Sequence, residues 1–124
     1  MERPVFVYGT LKPGGKLYRH VADFVGDVKP ARVQGRLYET PFGYPLLVPS
    51  GEEGAWVQGF LLAPKEGAQE ELEEIIDCIE LPAGFKKSVL RAFTESGPSV
   101  EALAYCFEEA PPFASSYPDG DWPV

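Results

Sequence analysis

Two groups of residues in this chain have types and spacing suited to chemistry. The first is the loop inside VFVYGTLKPGG, residues 5–15, where an apolar run stops at Gly9 and turns into a small, glycine-rich segment. Once the chain passes Tyr8, the amides of Gly9, Thr10 and Leu11 are released from strand pairing, and Gly9 has no Cβ to block an approach. Amides freed in this way can converge on an anion. The segment is not a phosphate loop, because the Gly-x4-Gly-Lys-Ser/Thr spacing is absent. The plainer reading of the same residues is a turn at Gly9 and a flexible Gly14-Gly15 connection. The second group is Glu80, at the end of a helical pattern whose apolar stripe is Leu72, Ile75, Ile76 and Ile79. At 100° per residue Glu80 falls about 80° from Leu72 and about 90° from the middle of the stripe, on the border of the core. Pro82 disfavours helical geometry at Leu81, so the helix is expected to end near Glu80, where the negative end of its dipole disfavours another anion. Border burial and the dipole both raise a carboxylate pKa, which suits general acid and base work near neutral pH. The plainer reading is a surface glutamate closing an acidic helix.

The remaining polar side chains are read more conservatively. Tyr38, Tyr44 and Tyr105 either line a cavity with hydroxyls or pack with satisfied tips. Arg36 suits an anionic ligand but reads first as an exposed strand residue, and His20 has no carboxylate at triad-like spacing. Cys78 lies about 110° from the stripe centre and reads as a partly buried thiol, not a nucleophile. Cys78 and Cys106 are expected to stay free thiols. With one histidine and no Cys-x-x-Cys pair, no metal or other cofactor is expected. Trp122 has two readings, a cap on a cavity or a pin for the tail.

The elements that must position these residues are mostly strands. Val5 to Tyr8 reads as a short buried strand, and Leu17, Val21, Phe24 and Val25 recur at helical spacing after the loop. ARVQGRLYE and AWVQGFLLAP read as strands separated by the turn-rich PFGYP. The glycine inside each VQG marks a bulge, a barrel bend or a close backbone contact. Lys65 to Glu80 is the expected helix, with Glu66, Glu70, Glu71, Glu73 and Glu74 on its solvated side. FKKSVLRAF and VEALAYCF follow as strands around TESGPS, a hairpin-turn composition. The tail from residue 108 to 124 is too proline-rich for regular structure and is expected to pack over the body through Phe113, Tyr117 and Trp122. Two helices among many strands imply an α+β domain with a small, curved, mixed β-barrel. Its 124 residues suit a single domain, 1–124. The net charge of −8 argues against nucleic acid and anionic membrane partners. No apolar run is long enough to span a bilayer and no basic segment with an apolar stretch opens the chain, so a cytoplasmic location is expected.

These motifs together resemble the γ-glutamylcyclotransferase-like family, which includes bacterial YtfP-type proteins and plant avirulence-induced proteins. VFVYGTLKPG is similar to its signature strand and loop, GRLYETPFGYP to its second segment, IIDCIE to its Leu-Asp-x-x-Glu motif, and DGDW to its terminal Gly-Asp-Trp. The resemblance implies a small β-barrel with flanking helices around a substrate cavity. It places an anion-binding loop at Tyr8, Gly9, Thr10 and Leu11, and the acid/base at Glu80. The implied reaction releases 5-oxoproline from a γ-glutamyl amine or peptide, the substrate's α-amine attacking its own γ-carbonyl. No Ser or Cys nucleophile is then needed, in keeping with the residues present. A non-catalytic protein that binds a small carboxylate or amine in the same cavity is the alternative. The chain departs from the family pattern at Leu81-Pro82, where Gly often follows the glutamate, and at Phe85-Lys86-Lys87, where Tyr-x-Arg is common.

Overall fold

The computed structural model describes residues 3–51, 53–95 and 97–123. Its strands are β1 (Val5–Val7), β2 (Val25–Glu39), β3 (Pro45–Pro49), β4 (Trp56–Pro64), β5 (Lys86–Ala92), β6 (Val100–Cys106) and β7 (Ser115–Ser116); its helix is α1 (Gln69–Glu80). They join in the order β3-β2-β4-β1-β6-β5, with β7 added to β2. The β1/β6 pair is parallel and the other pairs are antiparallel. The two ends of this order approach each other. Arg32 on β2 and Phe93 just past β5 exchange backbone hydrogen bonds of 3.0 and 2.9 Å, and the Phe107 amide donates to the Leu47 carbonyl on β3 at 2.9 Å. The result is a nearly closed mixed β-barrel.

Two glycines let the sheet curl, and both belong to the VQG pattern. β2 pairs with β4 as far as Gln34 and with β3 from Gly35 onward. At Gly35 an added Cβ would lie 2.8 Å from both the Leu47 side chain and the Val48 carbonyl, so only glycine lets β3 fold this close. On β4, Gly59 lies under the Phe6 ring and against the Val7 carbonyl. Phe6, Leu46, Leu47, Val57 and Leu62 are fully buried on the strands, as are Leu72 and Ile76 on α1.

Several expectations are modified. The helix expected after the loop is instead two 3-10 turns, Tyr18–His20 and Ala22–Phe24, and Val25 already belongs to β2. The reason is spacing: Tyr18, Val21 and Phe24 recur every third residue, the 3-10 period, and the bonds run i to i+3. The helix starts at Gln69 and not at Lys65, because Gly67 turns the chain with φ +80°. It ends at Glu80 as expected, but Leu81 stays helical and leads into a 3-10 turn, Leu81–Ala83. Pro82 is tolerated there because the first turn of a helix needs no donor from it. The strand β3 lies in PLLVP, where prolines close both ends. The β5/β6 hairpin forms, though Ser96 in its turn lies outside the described residues.

The tail does pack on the barrel and carries a short regular element. β7 pairs with Tyr38 and Glu39, the Tyr117 amide donates to Leu37, and the Gln58 amide donates to Gly120 at 2.7 Å. Val124, its last residue, lies outside the described residues. Lys12 is the anchor that sequence reasoning missed. The residue is only 4% exposed, and its ammonium donates to Asp121 Oδ1 at 3.1 Å and to the Trp122 carbonyl. Lys12→Met keeps the apolar stem and removes both charge-assisted bonds, so it should cost about 1–2 kcal/mol. Thermal denaturation should show a midpoint lowered by several degrees, and limited proteolysis should cut the tail faster than in the parent. An unchanged midpoint and cleavage rate would show that the strand pairing alone holds the tail.

Candidate functional site

The break after β1 puts backbone amides where the barrel opens. The Gly9 carbonyl accepts from the Lys12 amide at 3.0 Å, and the Thr10 carbonyl accepts from the Leu17 amide at 3.0 Å, so the loop is a closed turn. The N–H groups of Gly9, Thr10 and Leu11 donate to no backbone carbonyl among the described residues. Gly9 itself has a different reason for lacking a Cβ than ligand access. An added Cβ would meet the Pro45 ring at 2.7 and 2.9 Å. The residue is small so that the loop can lie against the start of β3.

That loop forms one wall of a cavity of about 290 Å³. Glu80, at the end of α1, also lines it, and Tyr44 and Phe85 add aromatic walls. No hydrogen bond or ion pair reaches the Glu80 carboxylate among the described residues, and burial raises its pKa from 4.5 to about 7. The apolar lining supplies the low-polarity surroundings that disfavour its charge.

Tyr8 is the strut of the site. Its hydroxyl donates to the Tyr105 carbonyl at 2.6 Å and accepts from the Leu47 amide at 3.1 Å, tying β1 to β6 and β3. Burial first, then the nearby Glu80 charge, hold its pKa well above the ordinary tyrosine value, so it stays a neutral donor. Tyr105 also lines the cavity, and its hydroxyl donates to Asp77 Oδ1 at 2.5 Å. Asp77 in turn receives Lys87 Nζ at 3.2 Å on its Oδ2, and Lys87 bonds Glu73 at 3.0 Å. Asp77 stands one helical turn before Glu80, so this chain of bonds fixes the end of α1 against β5 and β6.

The structure thus brings Glu80, Tyr8, Gly9, Thr10, Leu11 and Tyr44 to one cavity, and leaves Tyr38 out of its lining. On β2, Leu37 is the inward residue and Tyr38, its neighbour, points to the other face, where it pairs with Leu46 and Ser116. Arg36 is exposed on the same strand, and His20 is exposed on its 3-10 turn. Trp122 meets the Tyr117 ring at 5.3 Å with the planes tilted by 54° and does not line the cavity, so it pins the tail. Sequence reasoning missed Lys16 and Phe42, which also line the site. They lie in two separate loops, before Tyr18 and between β2 and β3, whose fold no periodicity reports.

Both cysteines are free, Cys78 exposed and Cys106 buried, and neither lines the cavity. Changing both to Ala should therefore leave ligand binding and turnover within about twofold. The stability cost should be about 1 kcal/mol, mostly from Cys106. A folded double variant without activity would instead indicate thiol chemistry.

Comparison with known proteins agrees with this architecture. The Bacillus subtilis protein YkqA is 25% identical with a TM-score of 0.70, covering 98% of this chain and 40% of its own length. An AIG2-like protein from Mus musculus is 23% identical with a TM-score of 0.73, covering 97% of this chain and 93% of its own. An uncharacterized protein from Pyrococcus horikoshii is 18% identical with a TM-score of 0.67, covering 97% and 89%. The chain spans about two fifths of the Bacillus protein and most of the other two. No curated protein matches it in sequence. No helix among the described residues is long and apolar enough to cross a membrane. The profile described as "Gamma-glutamyl cyclotransferase, AIG2-like" matches residues 5–124, and the chain belongs to that family.

Proposed function

We propose that this protein is a cyclotransferase that releases 5-oxoproline from a γ-glutamyl amine or γ-glutamyl peptide. The observation that carries the reading is a half-buried carboxylate, Glu80, that lines one apolar cavity together with the loop amides of Gly9, Thr10 and Leu11, the carboxylate without a hydrogen bond and the amides without a backbone acceptor among the described residues. The substrate's α-carboxylate docks on the N–H groups of Gly9, Thr10 and Leu11. Glu80 takes a proton from the α-ammonium group, and the freed nitrogen attacks the γ-carbonyl carbon. The carbon–nitrogen bond to the departing amine breaks, and Glu80 returns the proton to that nitrogen. Over a complete cycle the two surplus protons of the ammonium end on the leaving group, which departs as an ammonium ion. No water is consumed. A pKa of about 7 suits one group to both transfers at neutral pH. Holding the folded substrate conformer supplies much of the remaining rate, because the nucleophile is already in the molecule.

The test is incubation with a panel of γ-glutamyl amines and γ-glutamyl dipeptides, with mass-spectrometric detection of 5-oxoproline. Its release from at least one member supports the reading. Binding of the panel without any release would make the protein a binding protein for small carboxylates, with Glu80 as a fixed ligand for an ammonium group.

A further inference from the structure

The cavity continues outward along a row of aromatic rings. Phe85 meets Phe107 edge-on at 4.9 Å and Tyr44 at 5.9 Å; Tyr44 stacks on Phe42 at 6.1 Å; Phe42 meets Phe113 of the tail edge-on at 5.2 Å. Phe42, Tyr44 and Phe85 line the cavity, and the outer pair lies in solvent, Phe42 63% and Phe113 47% exposed. Isolated exposed apolar residues are ordinary, but two rings in contact at the rim of a cavity form a continuous apolar surface. Phe42 is also held in place. Its amide donates to Thr40 Oγ1 at 3.3 Å, and the same hydroxyl donates to the Tyr44 carbonyl at 2.8 Å. Gly43 completes this turn with φ +87°. The charged groups of the lining are Glu80 and Lys16. A leaving amine with a second positive charge would therefore meet Lys16 and find no spare carboxylate, whereas a ring would find partners along the whole row.

We infer that the preferred γ-glutamyl conjugates are those whose leaving amine carries an aromatic ring, seated between Tyr44 and Phe85 inside and Phe42 and Phe113 at the rim. This rests on the cyclotransferase reading above. The test compares γ-glutamyl benzylamide, γ-glutamyl methylamide and the γ-glutamyl amide of 1,4-diaminobutane. For the parent, kcat/KM should be at least about 10-fold higher for the benzyl compound than for the methyl one, and lowest for the diamine. Phe42→Ala and Phe113→Ala, each shown folded by circular dichroism, should reduce the benzyl-to-methyl ratio several-fold. Calorimetric binding to Glu80→Gln gives a readout independent of turnover, and there the benzyl compound should bind at least about 10-fold more tightly than the methyl one. Ratios within twofold in both measurements, or a ratio indifferent to both Phe variants, would overturn the aromatic seat. Absence of 5-oxoproline from all three compounds would overturn the cyclotransferase reading, and the calorimetric ratio then decides the aromatic seat by itself.

Discussion

Glu80→Gln should lower γ-glutamyl amide turnover by at least about 100-fold while leaving the fold intact. Gln has nearly the same volume and still accepts a hydrogen bond, but it cannot take a proton. The loop amides proposed to hold the substrate carboxylate are untouched, so binding should weaken much less than the rate. With a carboxyl pKa near 7, parent activity should fall as pH drops through about 7, and this limb should vanish in the variant. Stability should move as well. Between pH 4.5 and 7 the native protein holds a proton on Glu80 that the unfolded chain has lost. The parent therefore loses stability as pH rises through that window, and Glu80→Gln does not. Relative to the parent the variant should gain up to about 3 kcal/mol between pH 4 and pH 8, less where water in the cavity eases the burial. Urea titrations at both pH values check the sign. A folded Gln variant with parental turnover would remove Glu80 from the mechanism.

Gly59→Ala should be the most damaging single-methyl change in the barrel. The new Cβ would lie 2.2 Å from the Val7 carbonyl and 2.8 Å from Phe6 Cζ, and β1 must yield because its other side is held by β6. Overpacking against backbone should cost about 2–3 kcal/mol. Val7 ends the strand that leads into the loop proposed to bind the substrate carboxylate, so the same displacement should shift the Gly9–Leu11 amides and reduce turnover in the fraction that stays folded. Gly51→Ala is the control. Nothing lies within 4 Å of its added Cβ, so stability should stay within about 0.5 kcal/mol of the parent. Equal unfolding midpoints for Gly59→Ala and the parent would mean that β1 and β4 are not packed as closely as described.

Residues that obey a period were legible in the sequence. β1, β4, β5, β6 and the end of α1 follow from alternation or a 3.6-residue stripe, and the VQG glycines signalled the barrel's close contacts before any partner was visible. The border position of Glu80 came from the same arithmetic. The first half of β2 was illegible because its Gly26, Lys29 and Pro30 are exposed and have turn composition, although Lys29 and Pro30 pair with β4 and Gly26 sits at a shift in the register. Strand pairing there is imposed by the partner, a tertiary fact with no local signal. Tyr38 and Tyr44 show the corresponding limit for the site. Alternation says that Tyr38 and Leu37 face opposite ways, but not which face looks into the cavity. Lys12 was similarly hidden, since its partners Asp121 and Trp122 lie at the far end of the chain.

The most direct test of the account is the fate of oxygen during turnover of one γ-glutamyl amide in water enriched in oxygen-18. Intramolecular attack by the α-amine predicts 5-oxoproline and free amine in equal amounts, with no label in either. Labelled glutamate in place of 5-oxoproline would show attack by water, and would contradict the cyclisation on which the assignment of Glu80 and the loop amides depends.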